Sequence, residues 1–267
     1  MNAVVCAPVA SIVGHLLLLN AALLVVYMTL AWLVAVWRKR IDTVDGAWGL
    51  GFVLVAWAAV IERPVFRTYL IAAIVTVWGV RMTWHLGRRS LTHPEDRRYT
   101  ELRKKWKGNP WIRAYFSIFL LQGALVWLIC LPIVMATNAQ LTGWKWLSVL
   151  GAIIWAVGFV TESIADYQLK KFRAQKDHPK ILQTGLWRYS RHPNYFGELT
   201  QWWGIGIIAL QASYGWVGLA GPLTLTILIL FVSGIPPIEK RHKTDPDYQK
   251  YQKQTSVLVP WPPRKRT

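Results

Sequence analysis

The chain has 267 residues, 54% of them hydrophobic and 17 of them tryptophan, with a mean hydropathy of +0.27. Long apolar runs separated by short charged stretches exclude an ordinary soluble domain and indicate a polytopic membrane protein. The 31 lysines and arginines set against 13 acidic residues give a net charge of +18, but these cations crowd a few inter-helix segments, so they read as topology determinants and nucleic acid is not their expected partner.

Seven apolar runs are predicted to cross the bilayer, at 11–37, 47–62, 67–86, 113–136, 146–168, 197–213 and 215–235. Each is near the ~20 residues that a helix needs to span the hydrocarbon core. Helices are expected because lipid cannot satisfy exposed backbone groups, so the fold class is all-α. No basic residue precedes the first run, which is longer than a signal-peptide core, and it reads as a retained helix. The second run is short and is expected to lean on its neighbours. The whole of 1–267 reads as one membrane domain without internal repeats, its cofactor-binding part covering 81–267. Cys6 and Cys130 have no metal-ligand or disulfide spacing and read as inert thiols.

Between the spans, basic residues gather at Arg38–Arg40, Arg88–Arg113, Lys170–Arg191 and Lys240–Arg266. An odd number of spans places all four segments on one face, leaving Arg63, Arg67 and Lys145 on the other and Arg81 inside a span. The positive-inside rule then puts the N-terminus outside and the C-terminus in the cytosol. A bacterial inner membrane fits this pattern, and the cytosolic face of an endoplasmic reticulum would leave the same one. The same charges attract anionic membrane lipid. Within 87–112 a short interfacial helix is expected, with Trp106 and Trp111 at headgroup level. Pro179 and Pro193 bracket the segment leading into the sixth span. Pro236-Pro237 is expected to end the seventh, Glu239–Tyr251 to form a polar helix, and the tail Pro260-Trp-Pro-Pro to be extended and not deeply packed.

Polar residues inside or beside the spans are the candidates for chemistry, because they are costly there without a task. In the fifth span Glu162, Asp166, Lys170 and Arg173 share one helical face. They read either as an internal salt-bridge face or as carboxylates for ribose and adenine groups beside an arginine for phosphate. The stretch Gly185-Leu-Trp-Arg-Tyr-Ser-Arg-His-Pro-Asn-Tyr-Phe-Gly-Glu198 is denser still. Arg188, Arg191 and His192 offer cationic donors, and Trp187, Tyr189 and Tyr195 offer stacking faces. Asn194 sits just ahead of a helix N-terminus, which favours anions. Glu198 follows one turn later, so this amide and carboxylate can clasp the carboxamide of a nicotinamide; the alternative is an Asn helix cap with Glu198 as its partner. No Gly-x-Gly-x-x-Gly follows a strand and no Walker loop is present, so a nucleotide would be held by helices and their connecting segments. Trp78, Arg81 and His85 lie in the third span. Asp45, at the start of the second, reads as a partner for Arg81, a donor in a substrate cavity or a helix cap. Glu239, Lys240, Arg241 and His242 lie just past the last span, either closing the site or forming a solvated face.

These residues resemble the steroid 5α-reductase superfamily, in its bacterial-type branch. The resemblance runs from the second span to the C-terminus and is strongest over Thr184–Glu198. Asp45-x-x-Trp48, Trp78-Gly-Val-Arg81 with His85, Glu95-Asp-Arg-Arg-Tyr99 and Ala165-Asp166 reinforce it. The His-Pro-x-Tyr element alone also occurs in isoprenylcysteine and phospholipid methyltransferases. The resemblance implies a seven-helix reductase that takes NADPH from the cytosol and reduces a carbon–carbon double bond conjugated to a carbonyl. By position it implies that Asn194 and Glu198 hold the nicotinamide end, Asp166 the adenosine side and Arg173 a phosphate, while Glu162 and Arg81 also line the cofactor. Tyr189, Arg191, His192, Tyr195, Trp202 and Lys240 complete that cofactor set. The steroid reductases carry a Gln-Glu pair in the second span and a tyrosine in the third; here there is no such pair, and Trp78 stands at the tyrosine's place. Polarisation of the acceptor therefore falls to Asp45, Trp78 or Tyr195.

The expected function is NADPH-dependent hydride transfer to a lipidic or steroid-like enone that enters from the bilayer. The alternative within enzymes is an S-adenosylmethionine-dependent lipid or isoprenylcysteine methyltransferase. The non-enzymatic alternative, a transporter or lipid-binding scaffold, predicts ionisable residues across the outer halves of the spans, whereas this sequence concentrates its intramembrane charge on the cytosolic side.

Overall fold

The computed structural model describes residues 9–138 and 144–264; Cys6 and the end of the basic tail, Arg266 included, lie outside the described residues. Among these, helices are the only regular structure, and β pairing is limited to one bridge between Ser190 and Ser256. Six helical stretches are long and apolar enough to cross a membrane: Val13–Arg38, Thr43–Glu62, Phe66–Thr92, Pro110–Ile129, Trp146–Arg173 and Gly215–Arg241. The seventh span expected at 197–213 falls on a helix of 17 residues, Pro193–Ala209. At 1.5 Å per residue that helix is about 26 Å long, short of a hydrocarbon core of about 30 Å. The second span, expected to be short, begins earlier than its apolar run and reaches 20 residues.

The chain forms two compact units, Met1–Lys145 with Ile208–Gly221 and Trp146–Ile207 with Pro222–Thr267. In the first, α1 (Val9–Arg38) stops because Lys39 turns left-handed, φ 56°. The amides of Lys39 and Arg40 then fold back onto the carbonyls of Val36 and Ala35, the double closure of a Schellman motif. α2 (Thr43–Glu62) ends at Arg63, whose extended backbone is the conformation a following proline enforces. Three residues later α3 (Phe66–Thr92) begins, so the two helices are antiparallel neighbours. They pack at backbone distance: a Cβ on Gly49 would lie 2.5 Å from the Gly79 carbonyl oxygen, and one on Gly79 would lie 2.7 Å from that of Gly49. Small residues at such a seam let membrane helices gain dispersion contact in the absence of a hydrophobic drive. α4 (Arg97–Lys105) is the short helix expected in the connection, capped by Asp96 through the Arg98 amide at 2.9 Å. α5 (Pro110–Ala114) starts under an Asn109 cap and continues through a π-helical turn at Tyr115–Leu120 into α6 (Leu121–Ile129) and, past Cys130, α7 (Leu131–Met135). Buried Arg67 donates to the carbonyls of Ala136 and Asn138, closing the ends of α3 and α7 on one another.

In the second unit, α8 (Trp146–Arg173) packs along α9 (Pro193–Ala209) through a second glycine seam. A Cβ on Gly158 would fall 2.6 Å from the Gly197 carbonyl oxygen, and one on Gly204 would fall 2.6 Å from that of Gly151. α10 (Ala220–Ile227) runs into a π-helical turn at Leu228–Val232. Pro236-Pro237 does not end this span as expected. Ser233 and Gly234 make the break, both amides bonding to the Leu228 carbonyl, and the prolines occupy the first turn of α11 (Ile235–Arg241), where a missing N–H costs nothing. The single polar helix expected over 239–251 is two helices, because Asp245 caps α12 (Pro246–Gln254) anew.

Candidate functional site

The motif at 185–198 is held from two directions within the second unit. Gly185 is left-handed, φ 61°, and a Cβ there would strike the Gln168 side-chain amide at 2.4 Å. With no side chain at 185, Gln168 reaches the Leu186 amide at 3.0 Å, and Trp187 Nε1 donates to the Ala165 carbonyl at 3.1 Å. These bonds pin the 3-10 turn Gly185–Arg188 to α8. On the other side the tail is stitched to the motif by its backbone. The Arg191 amide donates to the Ser256 carbonyl, Trp261 donates to the Tyr189 carbonyl, and Ser190 Oγ reaches the Leu258 carbonyl at 2.7 Å. The tail is extended, as expected, but it is anchored, with the Trp261 side chain turned outward.

Glu239, on α11, is the hub of this arrangement. Its Oε1 accepts from Arg191 Nε, His192 Nε2 and the Tyr248 hydroxyl, each at 3.0 Å, and its Oε2 accepts from Gln252 Nε2. Arg191 Nη1 also donates to the carbonyls of Gln252 and Thr255. The Tyr251 hydroxyl donates to the Trp187 and Ser190 carbonyls. Burial, with the Glu239 charge beside it, raises the Tyr248 phenol; burial and then Tyr248 raise that of Tyr251. The cations in and around the motif therefore divide. Arg191 and His192 are committed to the protein, whereas Lys170, Lys171, Arg188 and Lys240 are exposed and have no carboxylate partner among the described residues.

Inside the α8–α9 seam Glu162 is 3% exposed and Gln201 1%. Gln201 Nε2 donates to Glu162 Oε2 at 2.5 Å and to the Gly197 carbonyl at 3.3 Å. Asp166 lies one turn beyond Glu162, and Arg173 is exposed at the end of α8. Pro193 opens α9, Asn194 and Tyr195 are half-buried, Tyr195 stacks on the His192 ring at 5.7 Å, and Glu198 is buried one turn along.

In the first unit Trp48, Phe52 and Trp78 form an edge-to-face cluster with centroids 4.9 to 6.4 Å apart. Asp45 is not the cap of α2, which is Asp42. The Tyr99 hydroxyl donates to Asp45 at 2.6 Å, and Arg98 lies at 3.4 Å. Burial, then the Asp45 charge, pushes the Tyr99 phenol up. Asp96 lies beside them; burial works to raise its carboxyl, but the Arg98 hydrogen bonds outweigh this and hold it below the usual range.

A family model described as a protein of unknown function, DUF1295, matches residues 31–255. The chain belongs to the DUF1295 family. It is 25% identical over 231 residues to an uncharacterized protein of Schizosaccharomyces pombe, covering 71% of this chain and 66% of that one. It is 27% identical over 121 residues to a 3-oxo-5-alpha-steroid 4-dehydrogenase 1 of Bos taurus, 43% of this chain and 44% of the relative. It is 28% identical over 131 residues to a protein-S-isoprenylcysteine O-methyltransferase of Saccharomyces cerevisiae, 44% of this chain and 50% of the relative. The chain thus spans about half to two thirds of the length of these relatives. No solved structure matches it. This DUF1295 member is homologous to the steroid 5α-reductases and to the isoprenylcysteine methyltransferases, as the motif had implied.

For this family member the sequence-predicted residues fall into two groups. Asp45, Trp78 and Arg81 belong to the first unit, and Glu162, Asp166, Arg173, Tyr189, Arg191, His192, Asn194, Tyr195, Glu198, Trp202 and Lys240 to the second. Four polar residues escaped the sequence reading. Gln168 and Gln201 are too common in type to stand out. Tyr248 and Gln252 meet Glu239 only because α12 folds back.

Proposed function

We propose that this protein is a membrane reductase that uses NADPH to reduce a polarised carbon–carbon double bond in a lipidic enone. The reading rests on homology to the steroid 5α-reductases, whose names specify oxidoreduction of a 3-oxo steroid, and on the charge beside the α8 face. The observation that supports it is that, among the described residues, Lys170, Lys171, Arg188 and Lys240 are exposed without a carboxylate partner in the unit that presents Asn194 and Glu198. A dinucleotide bears phosphates that need such cations; the sulfonium cofactor of a methyltransferase bears none. The donor set fits NADPH. Asn194 and Glu198, one turn apart where α9 opens, suit a carboxamide. Glu162 and Asp166 suit hydroxyl or amine donors on the adenosine side, with Arg173 at a phosphate.

When bound, NADPH would supply the hydride, and the protein supplies orientation and electrostatics. Asn194 would accept and donate at the carboxamide, and Glu198 would take the remaining N–H. Within the second unit Tyr195 would offer an O–H donor to the acceptor carbonyl, where negative charge develops. Asp45 and Tyr99 form a carboxylate–phenol pair that holds a proton at the start of α2. The substrate is a hydrophobic molecule entering from the bilayer. The topology has seven crossings, N-terminus outside and C-terminus cytosolic, in a bacterial inner membrane, with the cofactor taken from the cytosol.

The second reading, methyl transfer to a lipid or an isoprenylcysteine, is favoured by the match to the yeast methyltransferase. Thermal-shift titration of the purified protein with NADPH and with S-adenosylmethionine separates the two. Stabilisation by NADPH alone is expected, and stabilisation by S-adenosylmethionine alone would overturn the reductase.

A further inference from the structure

The Glu162–Gln201 pair carries more than the packing of α8 on α9 requires. A carboxylate inside a membrane span is expensive, and an apolar pair of the same volume is usually at least as stable. Here the carboxylate is retained and accepts from a neutral side chain, whose two amide hydrogens are both directed. One goes to Glu162 Oε2 and the other to the Gly197 carbonyl one turn back on α9. These two bonds fix the plane of the amide and with it the rotation of the carboxyl group. Gly158 and Gly197 seal the arrangement. A Cβ on Gly158 would press within 2.9 Å of Gln201 Cγ, and one on Gly197 within 2.8 Å of Glu162 Cβ, so the pair fits between the helices only because both positions lack a side chain. Meanwhile Gln201 Oε1 is buried with no hydrogen-bond partner. A network built only for stability would satisfy that acceptor, because a buried unpaired polar atom costs more than the bond returns.

We infer that Gln201 is a positioning residue for Glu162: its side-chain amide aims the Glu162 carboxylate at a hydrogen-bond-donating group of a bound nucleotide, such as a ribose hydroxyl. The assignment rests on the proposed role of Glu162 in holding the cofactor. Gln201 touches no ligand itself. It acts by keeping one carboxylate oxygen engaged and the group rigid, so that binding costs little reorganisation.

Three variants test it: Gln201→Leu, Gln201→Glu, and the reciprocal exchange Glu162→Gln with Gln201→Glu. For each, the thermal midpoint without ligand and the Kd for NADPH and for S-adenosylmethionine are measured. Gln201→Leu is expected to weaken NADPH about tenfold, the typical consequence of losing one hydrogen bond to a charged group. Gln201→Glu sets two carboxylates in contact, which share a proton, so NADPH affinity is expected to fall more steeply with rising pH across the neutral range than in the wild type. The exchange restores a carboxylate–amide pair and is expected to restore the ligand-free midpoint but not NADPH affinity, because the charge has moved from α8 to α9. Recovery of both, or undiminished NADPH affinity in Gln201→Leu, overturns the inference and leaves the pair a packing element. A wild type that binds only S-adenosylmethionine sinks the reductase reading instead, and the same variants are then scored on that probe. A wild type that binds neither overturns both.

Discussion

Glu239 shows how one side chain can organise a segment remote from it in sequence. Four donors converge on its carboxylate, from residues 191, 192, 248 and 252. The Tyr248 phenol, buried and facing that charge, is raised, and so is Tyr251. The consequence for stability has a definite sign. A phenol whose folded pKa lies above its unfolded value of 10.0 contributes stability that is complete below pH 10 and is lost as pH rises from there toward the folded value. Ultraviolet titration should therefore show the exposed tyrosines ionising first, with Tyr248 and Tyr251 following as the thermal midpoint drops. In Glu239→Gln the burial contribution stays and the charge contribution goes. Tyr248 should then ionise earlier, by an amount worth about 1.5 kcal/mol for a lost hydrogen bond to charge, and an unaltered titration would show that Glu239 is not its partner. The sequence made Arg191 and His192 visible as candidates, since their density beside Pro193 was unusual. It could not show that both are committed to Glu239, because that pairing spans 47 and 48 residues and no periodicity encodes it.

Elements were far more legible than contacts, since a long apolar run carries its own signal. Six such runs became helices of spanning length. What the runs did not disclose is how closely the helices approach. That depends on glycines whose significance appears only when two faces meet. Gly49 and Gly79 make α2 and α3 touch backbone to backbone, while Gly87, eight residues further along α3, has nothing within 4 Å of where a Cβ would sit. Gly79→Leu should therefore wedge the pair apart and lower stability by roughly 1–3 kcal/mol, the usual cost of overpacking. Gly87→Ala should be neutral or slightly stabilising, because alanine is the better helix former. Thermal melts of the two variants in one detergent check this, and equal midpoints would show that the seam is not close-packed. The start of α11 follows the same logic. Pro236-Pro237 looked like a terminator, yet a proline pair is equally at home in the first turn of a helix, and only the Ser233-Gly234 break decides between the two.

At the scale of the whole molecule, six helices reach spanning length, and the proposed seventh crossing rests on charge placement. Arg38–Arg40 and Arg88–Arg98 meet in the first unit, where Arg38 reaches the Ser90 carbonyl and Arg40 that of His93. Lys170–Arg191 and the segment after Lys240 meet in the second, through Glu239 and the tail. Each unit thus gathers two basic segments at one end, the arrangement the positive-inside rule requires. The element that decides the count is α9. At about 26 Å it is short for a span, but a bilayer thins or a helix recruits flanking residues for a mismatch of a few Å at modest cost. Leu210–Ser213 follow it directly, and the exposed Tyr214 marks the turn beyond. If α9 crosses, Tyr214 lies outside while Lys176 and His242, in the connections on either side, both lie in the cytosol. Single cysteines at these three positions, in a background lacking Cys6 and Cys130, should be labelled by an impermeant maleimide in intact cells at Tyr214 only, with the other two reacting after permeabilisation. Labelling of all three under the same condition would mean that α9 enters and leaves by one face, and the count would fall to six.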